Sequence, residues 1–168
     1  MTGEDMVKTE QELNGFRLEK AIGKDIDNRI VFRAVNYRRE RMAIKVIPIY
    51  PETLDFVFNE AMFCCEINHP CIAASMEFMI REGNKQLVLF MEYCEGNLGL
   101  DLRKIRDEDL AQCAKNILDG VFHIHEVLNI THCDLRPESI QISPTTPKVS
   151  FYSLSIPDEV PSECYLPP

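Results

Sequence analysis

The sequence predicts an α+β fold, with an antiparallel β-sheet lobe carrying one helix and then a partial, mainly helical lobe. Three observations carry this. Strand-like runs cluster between residues 16 and 93. Apolar residues at helical spacing occur once inside that stretch, over 53–66, and again beyond residue 107. Between the two textures lies EYCEGNLG (92–99), a polar, glycine-containing stretch suited to a hinge.

The elements follow in order. FRLEKAIG (16–23) alternates and stops at Gly23. IVFRA (30–34) and MAIKVIPI (42–49) are β-branched and apolar, separated by the charged turn NYRRER (36–41). In TLDFVFNEAMFCCE (53–66), Leu54, Val57, Phe58, Ala61, Met62 and Cys65 recur every three or four residues and are expected to be the buried face of a helix. His69-Pro70 is expected to end it. SMEFMI (75–80) and QLVLFMEY (86–93) read as two further strands joined by a turn at Glu82-Gly83-Asn84. Met76, Met79 and Met91 read as core fillers. Asp107 is expected to cap a second helix whose buried stripe is Leu110, Ala114, Ile117, Val121, Ile124 and Leu128. A polar loop, a short strand pair (Ile140–Ile142 with Lys148–Phe151) and a proline-rich end complete the chain.

Composition narrows the function classes. The 168 residues, 45% hydrophobic, suffice for one sizeable core or two small lobes. A net charge of −9 without a long basic run argues against nucleic acid or an anionic membrane as main partner. The seven cysteines are odd in number and lack Cys-x-x-Cys spacing, and the four histidines form no zinc pattern with them. Reduced, mostly buried thiols in an intracellular, cytoplasmic or nuclear protein are expected. The polar, acidic start is no secretory signal, and no apolar run has the length a membrane helix requires.

Five motifs then fall in a telling order. Met42-Ala43-Ile44-Lys45 resembles the Val-Ala-Ile-Lys strand of protein kinases. Asn59-Glu60, followed by His69-Pro70, resembles the helix glutamate that pairs with that lysine. Leu89-Phe90-Met91-Glu92-Tyr93-Cys94 resembles the strand and hinge that hold adenine. His132-Cys133-Asp134-Leu135-Arg136-Pro137-Glu138-Ser139 resembles the catalytic loop His-Arg-Asp-Leu-Lys-Pro-Glu-Asn, in its Ser/Thr form. Cys164-Tyr165-Leu166-Pro167-Pro168 resembles the approach to Ala-Pro-Glu. Over about residues 16–168 the chain is similar to the eukaryotic protein kinase family, C-terminally truncated and pseudokinase-like. On that resemblance, 1–15 is a flexible leader, 16–92 the kinase-like sheet lobe, 93–97 the hinge and 98–168 an incomplete helical lobe.

The resemblance implies an ATP site lined by Ile22, Val31, Ala43, Lys45, Glu60, Met91, Glu92 and Cys94, with Asp134 and Arg136 as catalytic residues, vestigial if the chain is inactive. The alternative for Lys45 and Glu60 is a strand edge and a solvated helix face, and for Asp134 a loop-capping role. The departures are concentrated around the phosphates. The glycine loop keeps only Gly23, places Asp25 and Asp27 near the triphosphate and runs one residue long, which also suits an ordinary hairpin. Cys133 replaces an arginine, Ser139 the metal-binding asparagine, and Gln141 an aliphatic residue under adenine. Phe151-Tyr152-Ser153 stands where Asp-Phe-Gly should be, so Mg²⁺ binding is expected to be lost, while ATP binding stays open. Three functions remain in view. They are a binding or regulatory module partnered by another kinase or signalling protein, an atypical Ser/Thr kinase, and a metal-independent nucleotide-binding domain. The end at Pro168, before the floor helices of the second lobe, fits a gene fragment or a truncated protein whose partner covers residues 110–128.

Overall fold

A computed structural model of the chain describes residues 12–24, 29–97, 105–129, 132, 135–142 and 147–149. The described residues divide into two compact units. One takes in residues up to 67 together with 74–93, and the other 68–73 and the residues from 94 on.

The first unit is built on a six-stranded antiparallel sheet. Its strands are β1 (Glu12–Leu13), β2 (Phe16–Lys24), β3 (Ile30–Asn36), β4 (Arg41–Pro48), β5 (Ser75–Arg81) and β6 (Gln86–Glu92), in the spatial order β1-β2-β3-β4-β6-β5. Helix α1 (Leu54–Glu66) follows β4. The sheet begins inside the stretch read as a leader, because Leu13 is buried in its core. Alternation sorts the strands into two faces. One face packs Ile30, Phe32 and Ala34 against Ile44, Val46, Val88, Phe90 and Leu13. Each large aliphatic side chain there contributes about 1.5–3 kcal/mol of burial. The other face carries Val31, Ala43, Lys45, Leu89 and Met91, and Glu60 of α1 reaches Lys45 on it.

Three expectations for this unit need correction. The buried side of α1 is Val57, Glu60, Ala61 and Cys64, while Leu54, Phe58 and Met62 are exposed and Cys65 is half-buried. The helix is turned because Glu60, which reads as a polar residue, reaches inward to a buried lysine. The helix also stops at Glu66, with Ile67 already extended, ahead of His69-Pro70. Met76 and Met79 are exposed on edge strand β5, whereas Met91 is buried on β6.

In the second unit, a 3-10 turn (Asp107–Asp109) leads into α2 (Leu110–Phe122), which continues as a π turn over His123–Val127. The residue preceding α2 is therefore Asp109 rather than Asp107, and its side chain accepts from Arg106 Nε at 2.8 Å instead of capping the helix. The buried line of α2 is Cys113, Asn116 and Gly120, continued by Ile124 in the π turn. It lies one residue before most of the expected stripe, a turn of about 100°. Small residues let the helix approach its neighbours, and Asn116 is satisfied by the Gln112 amide at 2.8 Å. Leu110, Leu118 and Phe122 are left exposed. A small sheet pairs β7 (Gly96–Asn97), β8 (Ile140–Ile142) and β9 (Pro147–Val149).

Candidate functional site

Strand register assembles one group of residues in the first unit. Val31 stands opposite Lys45, and Ala43 opposite Met91. Residues two apart share a face, so all four lie on the side of the sheet under α1, and all four are buried. Ile22 is the bulged residue between Ala21 and Gly23, where the β2–β3 register shifts, and its side chain is exposed.

At the centre, Lys45 Nζ donates to Glu60 Oε1 at 3.1 Å, with the two side chains 0% and 2% exposed. Of the two arrangements open to these residues, the structure adopts the buried pair. A third charge joins them. Arg29, immediately before β3, brings Nη1 to 3.7 Å from Glu60 Oε2, and its side chain is 8% exposed. Oε2 accepts no hydrogen bond, so Arg29 meets it as a charge. One turn along α1, burial pushes the Cys64 thiol up to about 12, and the neighbouring Glu60 carboxylate adds to this against the opposing Lys45. Cys64 is therefore a neutral packing group, not a nucleophile.

A Cβ added at Gly23 would meet Val31 at an ordinary 3.7 Å. At the end of β6, the Glu92 N–H donates to the Ala74 carbonyl at 2.8 Å, and its carboxylate accepts the Ala74 N–H at 3.3 Å. Glu92 is thus tied to the residue preceding β5.

In the second unit Cys94 is buried and Arg136 is exposed. Ser139 is buried, and its hydroxyl accepts the Arg136 N–H at 3.1 Å while donating to the Arg136 carbonyl at 2.8 Å. Its only proton is therefore spent on the loop. The buried Gln141 amide likewise donates to the Glu138 carbonyl at 3.1 Å. Among the described residues no three His, Cys, Asp or Glu side chains converge in a metal-binding group. Asp134, Cys133, Phe151-Tyr152-Ser153 and the segment 164–168 lie outside the described residues.

Arg29 is the participant that no motif in the sequence marks. The available signal was its spacing two residues before Val31, which assigns it to the face of Lys45.

Residues 18–155 match the family described as protein kinase domain. A protein of Encephalitozoon cuniculi named "Probable serine/threonine-protein kinase" is 30% identical over 142 residues, covering 83% of this chain and 27% of that protein. The KIN1 homolog of Enterocytozoon bieneusi, also named a serine/threonine-protein kinase, is 29% identical over 133 residues, covering 76% of this chain and 22% of that protein. Serine/threonine-protein kinase dst1 of Dictyostelium discoideum is 27% identical over 134 residues, covering 76% and 18%. The chain thus spans about a quarter or less of the length of these relatives. No helix among the described residues is long and apolar enough to cross a membrane.

Proposed function

Because the chain belongs to the eukaryotic protein kinase family, we propose that it acts as a pseudokinase, a binding and regulatory module that does not transfer phosphate. The observation that carries this reading is Phe151, at the place where the family's metal-binding aspartate is expected. Phosphoryl transfer depends on neutralising and aligning the phosphates, largely by Mg²⁺ held on oxygen ligands. A phenyl ring offers none. Ser139 supports the same reading, since a short neutral hydroxyl stands where the family's metal-binding asparagine is expected. The partner is a protein, another kinase or signalling protein. The exposed flank of Leu54, Phe58 and Met62 supports contact through α1.

The test is a phosphoryl-transfer assay on the longest natural form with Mg²⁺ and with Mn²⁺. No transfer above background is expected. Robust transfer that disappears in Asp134→Ala would sink the reading and establish an atypical Ser/Thr kinase.

One observation favours a second property, nucleotide binding without metal. The buried Lys45–Glu60 pair and the apolar Val31 and Ala43 beside it are retained on one face. ATP is then expected to raise the thermal midpoint equally in Mg²⁺ and in EDTA. An unchanged midpoint in both would remove nucleotide from the account and leave the binding-module reading standing.

A further inference from the structure

We propose that Arg29 is a positioning residue for α1, giving Glu60 a second buried cation so that the helix stays docked when Lys45 turns away. The two oxygens of Glu60 face different cations. Oε1 takes Lys45 from the middle of β4, and Oε2 faces Arg29 at the entrance to β3. The remaining buried side chains of α1 (Val57, Ala61 and Cys64) are apolar or neutral, so Glu60 is the charged tie on that face. A carboxylate buried this deeply is strongly destabilising when its counter-charge goes. With one cation, any ligand or substitution that drew Lys45 away would expel the helix. With two, either suffices. A guanidinium suits the second place, because it remains charged at any accessible pH and its five donors serve other groups without releasing Glu60. Docking of α1 then belongs to the fold itself and does not wait on a ligand at Lys45.

Hydrogen exchange along α1 in the full chain tests this, with the amides of β4 and β6 as internal reference. The variants are Arg29→Met and Lys45→Met, which keep an apolar stem, and their combination. Each single change is expected to lower α1 protection by less than about threefold, and the combination by about tenfold or more. Arg29→Lys in the Lys45→Met background is expected to restore most of the loss. Protection in the combination no lower than in Lys45→Met alone would overturn the proposal. Should the combination fail to fold, Arg29→Met is compared in wild-type and Glu60→Gln backgrounds. A loss confined to the wild-type background supports the proposal, and an equal loss in both overturns it.

Discussion

The hydroxyl of Ser139 is bound twice to the backbone of one residue, Arg136, accepting its N–H and donating to its carbonyl. The pair closes a 3-10 turn (Pro137–Ser139) in which Ser139 alone is buried and which feeds directly into β8. Ser139→Ala removes both bonds at a buried side chain. A loss of about 1–2 kcal/mol is expected, read as a lowered urea midpoint with unchanged slope. Ser139→Thr, which keeps the hydroxyl, is expected to retain most of it.

Glu60 and Lys45 are expected to behave unequally. Glu60→Ala leaves Lys45 and Arg29 facing each other without their shared carboxylate. Breaking a buried ionic group in this way costs about 3–5 kcal/mol. Lys45→Met leaves Glu60 with Arg29, so its cost is expected to be clearly the smaller of the two. Equilibrium unfolding of the two variants side by side gives the comparison, and equal losses would contradict it.

Gly23 is expected to tolerate a side chain. Among the described residues, a Cβ there meets Val31 Cβ and Cγ2, at 3.7 and 3.8 Å. The position lies in β2, where glycine costs chain entropy without packing anything. Gly23→Ala is expected to change stability by at most about 1 kcal/mol, and in the stabilising direction. A thermal midpoint several degrees lower would show that backbone freedom at Gly23 matters after all.

The sheet was legible in the sequence because β3, β4 and β6 are dense in β-branched and apolar residues bounded by charged turns. Both helices were legible as helices, but their buried faces were legible only in part, at Val57 and Ala61 in α1 and at Ile124 beyond α2. Polarity patterns assign Leu54 and Phe58 to the interior, yet α1 turns to bring in Glu60. Along α2 they favour Ala114 and Ile117, yet the small Cys113 and Gly120 and a hydrogen-bonded Asn116 take the inside. A helix face is chosen by what lies opposite it, and a one-dimensional pattern holds no record of that. Lys45 and Glu60 could be found because each sits beside a landmark, an apolar run and a His-Pro pair. Arg29 has no landmark, and its role exists only once β3 has paired with β4.

His69 is expected to make the protein acid-sensitive. Its ring stacks on His123 with centroids 4.5 Å apart, and its Nδ1 accepts the Cys71 N–H at 3.2 Å. Burial, and then the neighbouring His123, hold its pKa below the ordinary 6.5, with Asp119 opposing. The unfolded chain therefore binds a proton more readily than the folded one. A group of this kind contributes stability that is complete above its unfolded pKa and lost as pH falls through 6.5 toward the folded value. A neutral ring that accepts at Nδ1 carries its hydrogen on Nε2, so the added proton goes to Nδ1, which can then no longer accept from Cys71. Urea midpoints at pH 7.5, 6.5 and 5.5 are expected to fall across this window. Carboxylates add their own slope in acid, so the decisive quantity is the difference from His69→Asn, which keeps an acceptor near the Nδ1 position and does not titrate. That variant is expected to show a shallower decline, and parallel curves would assign the acid sensitivity elsewhere.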